Sequence, residues 1–186
     1  MSTTRTPTHD PSSLVISTIP IAGADFTAVY APADYVVLAG GFGDPDTLLE
    51  RLLGSSPEPW SSTVRPFTGD NDVTRALTRY AEGVPEALDE LRVQQPATEF
   101  RNAVWAALRS VPAGDTISYT ELAAAAGRPA AVRAAASACA NNLIALVVPC
   151  HRIVRRDGKL GGYLFGVPLK ERLLADEARM AEHARS

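Results

Sequence analysis

Runs of apolar residues in the first quarter of the chain predict a small antiparallel sheet. Three short runs rich in β-branched and aromatic residues are separated by segments that contain Gly, Pro and Asp. The three runs are Leu14–Ile19, Phe26–Tyr30 and Tyr35–Ala39. Because the connecting segments Gly23–Asp25 and Ala31–Asp34 are short, consecutive strands are expected to pair antiparallel as a meander.

Two segments with helical periodicity follow the predicted strands. Pro45–Leu53 is predicted to form a helix with Asp44 as its N-cap, and Asp72–Ala81 places apolar residues on one helical face. The Pro- and Ser-rich stretch Gly54–Pro66 is predicted to be a loop, and Leu91–Val93 is a candidate for a return to the sheet. No residue type in this part of the chain suggests a reactive site.

A change of composition at Gln94-Gln95-Pro96 predicts a boundary between two domains. Residues 14–94 are interpreted as a small α+β scaffold domain, and the polar Thr/Pro-rich residues 1–13 are predicted to be a disordered tail. Residues 97–182 are Ala-rich and mostly helical. The fold class expected for the whole chain is therefore α+β.

The second domain begins with a predicted amphipathic helix over residues 98–110. Ser118-Tyr119-Thr120-Glu121 then has the spacing of a capping box, which predicts a short helix that stops at Gly127. Pro129 suits the first turn of another helix, which is expected to end near Ala140. Two helices joined by a glycine turn are typical of a helix-turn-helix, although many such pairs do not bind DNA.

The second helix of this pair has one apolar face and one face of small residues. Val132, Ala135 and Cys139 share the apolar face, so Cys139 is expected to lie in the core. The opposite face carries Arg133, Ala136, Ser137 and Ala140. Helices that recognise a DNA sequence need several long polar side chains that reach the base edges, which this face lacks. Its small residues would instead allow the helix to lie close to a DNA groove, with Arg133 as the residue able to enter the base stack. An exposed arginine on an ordinary Ala-rich helix is the alternative.

A thiol, an imidazole and a guanidinium stand together at Cys150-His151-Arg152, inside the apolar run Val147–Val154. Such a run is typical of a buried strand or strand-like loop, and Pro149 turns the chain just before the sulfur. We interpret the pattern as a reactive thiol on a rigid, largely buried turn. The alternative is a small apolar cysteine followed by two polar residues that leave the core.

A carboxylate on the final helix is the expected partner of the imidazole. This helix starts near Val167, and Glu177 falls on its apolar stripe of leucines. A carboxylate that faces the core needs a partner, which His151 would supply. The residues would then form a relay from Glu177 through His151 to the Cys150 thiol, with a water as a plausible bridge. A frayed helix end with Glu177 bent into solvent is the alternative.

Charge is distributed unevenly along the 186 residues. The net charge of the whole chain is −3, but residues 1–96 carry −7, residues 97–160 carry +4 and residues 161–186 carry zero. Part of the positive charge lies in Arg155–Lys159, a loop that follows the thiol. The basic middle segment therefore favours an acidic partner, although the chain as a whole is acidic.

Cysteine, histidine and hydropathy patterns exclude several classes of protein. Cys139 and Cys150 do not make a disulfide framework, so a reduced, cytoplasmic chain is expected. The three histidines lack zinc-ligand spacing, and neither a metal nor another cofactor is expected. No apolar run is long enough to span a membrane, and the polar first residues are not expected to be a secretory signal.

Pro149-Cys150-His151-Arg152 inside an apolar run resembles the active-site signature of the O6-alkylguanine–DNA alkyltransferases, also called methylated-DNA–protein-cysteine methyltransferases. The resemblance extends over residues 98–177. Asn142 matches the asparagine that braces the active-site turn in this family, and Arg133 matches the arginine that replaces the flipped nucleotide. Tyr119 matches the tyrosine that presses on the phosphate and helps to rotate the base.

His151 and Glu177 match the relay of the same family, and Gly161-Gly162-Tyr163 matches the loop that closes its lesion pocket. Much of the family reads Gly-Tyr-x-Gly-Gly in this loop, whereas the Gly-Tyr-Leu-Phe-Gly of this chain is similar to the transferase module of bacterial adaptive-response proteins. Leu164 replaces a serine that some members use against the guanine oxygen, which implies a different range of alkyl groups. Relatives that only bind lesions have Trp in place of the Cys, so Cys150 favours transfer.

The resemblance implies a ribonuclease-H-like N-terminal domain and a winged-helix-like C-terminal domain that contains the helix-turn-helix. It implies binding to the minor groove of double-stranded DNA and extrusion of O6-alkylguanine, with O4-alkylthymine as a further candidate substrate. The alkyl group would pass to Cys150, and Tyr119 would protonate the leaving guanine. Each molecule would act once, as a monomer with no obligate protein partner and no cofactor.

These features define the candidate site. The candidate catalytic residues are Cys150, His151, Glu177, Asn142 and Tyr119. The candidate DNA contacts are Arg133, Tyr119, Ser118, Ala134, Ser137 and Arg155. The candidate pocket residues are Val148, Tyr163, Leu164 and Gly162. Two alternative functions remain: a Cys-His thiol hydrolase, which would turn over without Arg133, and a non-catalytic lesion-binding or regulatory DNA protein.

Overall fold

A computed structural model of the protein describes residues 13–56 and 64–185. The predicted tail therefore lies outside the described residues except for Ser13, as does the central part of the predicted loop Gly54–Pro66. Within the described ranges, none of the helices combines the length and the apolar character needed to cross a bilayer. The described residues form a mixed α+β fold, which confirms the predicted fold class.

Four strands form the main sheet, in the order β3-β2-β1-β4. They are β1 (Leu14–Ile21), β2 (Ala24–Tyr30), β3 (Val37–Phe42) and β4 (Val64–Pro66). The predicted antiparallel meander of the first three strands is confirmed. Its first turn is Ala22-Gly23, one residue earlier than expected, with φ values of 51° and 72°. Two consecutive positive φ angles are typical of the hairpin turn that matches the twist of the strands.

Two features of the sheet differ from the sequence prediction. Val64–Pro66 belongs to the segment that was predicted as a loop, but it pairs parallel with β1. The loop prediction was therefore wrong for these three residues. A three-residue edge strand has too short a pattern to be recognised without its partner. Tyr35 adopts a left-handed φ of 57°, so the third strand begins two residues later than predicted.

Helices α1 (Pro45–Ser55) and α2 (Asp72–Ala81) lie where the periodicity predicted them. The Asp44 carboxylate accepts the backbone N–H groups of Asp46 and Thr47, which confirms it as the N-cap of α1. A 3₁₀ turn, Pro85–Glu90, follows α2 and was not predicted. The predicted return to the sheet is reduced to a single parallel bridge between Val93 and Val37.

The C-terminal part contains α3 (Glu99–Arg109), β5 (Ile117–Ser118), α4 (Tyr119–Ala125) and α5 (Val132–Ala140). The capping box of α4 is confirmed, because the Ser118 hydroxyl accepts the Glu121 N–H and the Glu121 carboxylate accepts the Ser118 N–H. Gly127, with φ of 79°, ends the helix through N–H bonds from Gly127 and Arg128 back to α4 carbonyls. Pro129 does not lie in the first turn of α5. It occupies a separate turn closed by the bond from the Ala131 N–H to the Arg128 carbonyl.

The final elements are a 3₁₀ turn, Cys150–Arg152, then β6 (Ile153–Val154), which pairs parallel with β5, and α6 (Val167–Ala184). One hydrophobic cluster runs through both parts of the chain. Gly40 of β3 exchanges backbone hydrogen bonds of 2.8 Å with Leu143 and Ala145, in the segment that leads to Cys150. A Cβ at this position would lie 2.8 Å from the Phe26 ring, so the close approach requires glycine. The sheet thus anchors the segment that carries the thiol.

Candidate active site

Asn142 holds the turn that carries the Cys150 thiol. Its amide Nδ2 donates to the Val148 carbonyl at 2.8 Å and to Cys150 Sγ at 3.4 Å, and its Oδ1 accepts the Ile144 N–H at 3.1 Å. The side chain is 4% exposed, so water competes little for these bonds. The predicted turn is present, but it places Cys150 at the start of a 3₁₀ turn and not on a strand.

His151, which follows Cys150 in the chain, forms a fully buried pair with Glu177. His151 Nε2 lies 2.9 Å from Glu177 Oε1, and neither side chain is exposed to solvent. Glu177 therefore faces the core, and the alternative of a frayed helix end is wrong. The other imidazole nitrogen, Nδ1, has no hydrogen-bond partner among the described residues. An imidazole that donates Nε2–H to a carboxylate keeps a lone pair on Nδ1, which can accept a proton.

Glu177 has two further partners that the sequence analysis did not identify. Arg152 donates Nε to Oε2 at 2.9 Å and Nη2 to Oε1 at 2.8 Å, and its Nη1 donates to the Val111 carbonyl. The Tyr80 hydroxyl donates to Oε1 at 2.9 Å. Burial by itself would raise the pKa of the Glu177 carboxyl, but His151 and Arg152 hold this pKa well below its ordinary value. The carboxylate is therefore ionised at neutral pH.

The Cys150 thiol is protonated in the resting protein. Burial raises its pKa above the ordinary value, and the Asn142 hydrogen bond and the Lys170 ammonium oppose the rise only in part. Lys170 is 1% exposed, and its Nζ donates to the carbonyls of Ile153 and Leu160 at 2.5 Å each. Because the thiolate is the nucleophilic form, the thiol needs a base to react.

A cavity of about 320 Å³ opens beside the thiol. Its lining residues are Tyr119, Ala136, Cys139, Ala140, Asn142, Ala145, Cys150, Gly162, Tyr163, Leu164 and Phe165. Of the predicted pocket residues, Tyr163, Leu164 and Gly162 line this cavity. Leu164 is 62% exposed at its rim, which leaves an apolar side chain in solvent.

Two sequence predictions about this region were wrong. Val148 is fully buried and does not line the cavity; its carbonyl accepts the Asn142 amide. Cys139 is half-buried and faces the cavity, because Ala135 and Ala138 take the core positions of α5. Burial and the neighbouring Cys150 raise the pKa of Cys139 to about 12, so this second thiol stays protonated.

Comparison with known proteins identifies the family. Residues 99–179 match the family model described as 6-O-methylguanine DNA methyltransferase, DNA binding domain. A methylated-DNA–protein-cysteine methyltransferase of Methanosarcina barkeri is 35% identical over 152 residues, which are 80% of this chain and 94% of that protein. The chain belongs to the methylated-DNA–protein-cysteine methyltransferase family.

Other relatives of this chain differ from it in length. The regulatory protein Ada of Salmonella typhimurium is 50% identical over 97 residues, but these residues are only 28% of that protein. The chain thus spans less than a third of the length of this relative. The crystal structure of Mycobacterium tuberculosis OGT in complex with DNA superposes with a TM-score of 0.68 at 27% identity, covering 89% of this chain and 94% of that one.

The candidate DNA contacts of the chain are not equally accessible. Arg133, Ala134 and Ser137 are exposed on α5, and Arg155 is exposed in the basic loop. The Ser118 side chain is buried and caps α4, so a DNA contact through this hydroxyl lacks support from the structure. Tyr119 follows directly and lines the cavity. Burial raises the pKa of Tyr119, so the phenol carries its proton in the resting protein. No group of three or more His, Cys, Asp or Glu side chains within the described ranges is arranged to hold a metal.

Proposed function

We propose that this protein repairs duplex DNA by moving the alkyl group of O6-alkylguanine onto Cys150, once per molecule. The observation that carries the proposal is a thiol that lines a cavity and is followed in the chain by His151, whose imidazole pairs with the buried Glu177. Burial keeps the thiol protonated until the base acts, and the cavity gives a flipped base a place to lie. Membership of the family supports the same reaction.

In the proposed reaction, Cys150 Sγ attacks the alkyl carbon while its proton passes to His151 Nδ1, directly or through a water. The S–C bond forms as the bond between that carbon and the guanine O6 breaks, and the electron pair returns to the guanine. Tyr119, which lines the cavity, donates the proton that neutralises the leaving guanine. The ionised Glu177 stabilises the cationic imidazole. A thioether results, and because the C–S bond of a thioether is stable in water, the thiol is not regenerated.

In the proposed complex, α5 approaches the minor groove. Its exposed face carries Ala134 and Ser137, whose short side chains allow the backbone to come close to the sugars and phosphates. Arg133 would fill the stack where the damaged base has left. Arg155 would contact phosphate, which adds sequence-independent and salt-dependent affinity.

The experiment that tests the proposal is a mass measurement. The protein is mixed with duplex DNA that contains one O6-methylguanine and is then digested. The peptide with Cys150 should become heavier by one methylene, transfer should saturate at one group per protein, and Cys150→Ser should stay unmodified. Repeated turnover would contradict single use. Turnover of a small ester without methylation would instead identify a thiol hydrolase, and tight lesion binding with unchanged mass would identify a lesion-binding protein.

A further inference from the structure

Tyr80 of α2 links the N-terminal part of the chain to the relay. The side chain is 1% exposed, and its hydroxyl donates to Glu177 Oε1 at 2.9 Å. Among the described side chains of residues 14–94, it is the one that forms a hydrogen bond with the relay of Cys150, His151 and Glu177. Residues 14–94 therefore contribute a side chain to the relay in addition to the predicted scaffold.

The hydrogen bonds to Glu177 show what Tyr80 adds. Oε1 accepts from His151, Arg152 and Tyr80, whereas Oε2 accepts only from Arg152 within the described part of the chain. Each carboxylate oxygen has two lone pairs, so the three donors on Oε1 share two acceptor positions, whereas Oε2 uses one of its two. Burial, and then the charge of Glu177, raise the pKa of Tyr80 well above its ordinary value. The phenol therefore stays protonated and always donates.

We propose that Tyr80 is a positioning residue for alkyl transfer. Its hydroxyl fixes Oε1 of Glu177 in the place where this oxygen accepts the Nε2–H of His151. The imidazole is thereby held in the tautomer whose Nδ1 can take the proton of the Cys150 thiol. This inference rests on the proposed function, because it assigns Tyr80 a part in the same reaction.

The groups around Glu177 determine in which direction loss of the Tyr80 hydroxyl shifts the pH dependence of methyl transfer. Hydrogen bonds reach Glu177 from His151 and Arg152 of the 3₁₀ turn and from Tyr80 of α2. The charge of Glu177 also acts on Tyr163, which lines the cavity, and the charge of Asp176 in α6 acts on Tyr80. Without the phenol, more of the negative charge on Oε1 is available to the imidazole. The cationic imidazole is then favoured, and this form cannot accept the thiol proton. The acid limb of the pH–rate profile should therefore move to higher pH.

The test compares Tyr80→Phe with Tyr30→Phe in the 186-residue chain. Tyr30 is also a fully buried tyrosine of the N-terminal part, and its hydroxyl bonds with Ser17 and Asn71, away from the relay. Single-turnover methyl transfer is measured from pH 5 to 9 with saturating O6-methylguanine duplex, and DNA affinity is measured separately. Tyr80→Phe should be about ten-fold slower at neutral pH, with unchanged DNA affinity and a shifted acid limb. Tyr30→Phe should keep the wild-type rate and profile.

Two outcomes would overturn the inference: a folded Tyr80→Phe protein with the wild-type rate and profile, or equal slowing by both variants. If Tyr80→Phe does not fold, 3-fluorotyrosine incorporated at Tyr80 alone replaces it. This residue keeps the hydroxyl but is a stronger hydrogen-bond donor, so the acid limb of the pH–rate profile should move to lower pH. An unchanged acid limb would count against the proposed role of Tyr80. Failure of the wild-type protein to methylate Cys150 would instead refute the proposed function itself.

Discussion

Replacing Arg152 with methionine should destabilise the protein by removing the cation from a buried ion pair. Arg152 is 6% exposed and makes two hydrogen bonds to Glu177, which has no exposed surface. Methionine keeps much of the apolar stem but leaves the carboxylate without its permanent positive partner. A third bond, to the Val111 carbonyl, is lost as well.

The expected loss of unfolding free energy follows from the burial of the Arg152–Glu177 ion pair. Removing one partner of a buried, hydrogen-bonded ion pair typically costs about 3–5 kcal/mol, because the other charge stays in a medium that solvates it poorly. An exposed pair contributes about 1 kcal/mol or less. Arg75 is the matched control, since its side chain is 53% exposed and bonds to Asp70 and Asp72 at 2.6 and 2.8 Å. Arg75→Met should therefore cost about 1 kcal/mol or less.

Urea unfolding at pH 7, followed by far-UV circular dichroism, measures both variants. The free energy of unfolding should fall by several kcal/mol for Arg152→Met and hardly at all for Arg75→Met, with similar m-values. Equal losses of unfolding free energy in the two variants would show that the buried ion pair stabilises the protein no more than the exposed one does, which would contradict the prediction.

The difference in the free energy of unfolding between wild type and Arg152→Met should depend on pH, which gives a second test of the Arg152 contact. Because the pKa of Glu177 is lower in the folded than in the unfolded protein, its stabilising contribution is present above the unfolded pKa of about 4.3. This contribution is lost as the pH falls through the folded pKa. The difference in the free energy of unfolding between wild type and Arg152→Met should thus be largest near neutral pH and should become smaller below about pH 4. A difference that stays constant would contradict the assignment of the pKa shift to this ion pair.

Three further predictions concern the site. Arg133→Ala should slow repair of duplex DNA far more than reaction with a free alkylated base, because the side chain would serve base flipping; equal losses on both substrates would exclude that role. Lys170→Met removes a charge that holds down the Cys150 pKa, so alkylation by iodoacetamide should require higher pH, and an unchanged pH profile would show that Lys170 acts only through its carbonyl contacts. Ser118→Ala should lower thermal stability by the ~1 kcal/mol of a lost cap and leave DNA affinity unchanged, whereas lost affinity would restore Ser118 as a DNA contact.

The elements predicted well from sequence are those determined by short-range interactions. The N-cap Asp44 and the capping box at Ser118 each join residues three apart, so the pattern itself contains both partners. The left-handed Gly127 that ends α4 is equally local. The start of α5 was misplaced because Pro129 suits both a first helical turn and a β-turn, and the local pattern does not distinguish the two.

The contacts that could not be predicted join distant parts of the chain. The short strand Val64–Pro66 exists as a strand because β1 lies beside it. Cys139 faces the cavity instead of the core because of the way α5 packs, and a helical face of small residues does not fix that orientation. The neighbouring Arg152 was visible in the motif, and a carboxylate on an apolar stripe was a signal that a cation was needed. Tyr80 gave no such signal, since a tyrosine on an apolar helical face is ordinary.

By itself the sequence determined the family, the fold class and the main helices, because these depend on residue types at short, regular spacing. The tertiary structure decided which groups share the charge of Glu177. Tyr80 lies 97 positions before this carboxylate, and Arg152 lies 25 before it. Only folding removes water from all of them at once, and in that dry interior each hydrogen bond to the carboxylate becomes strong enough to set the state of the relay.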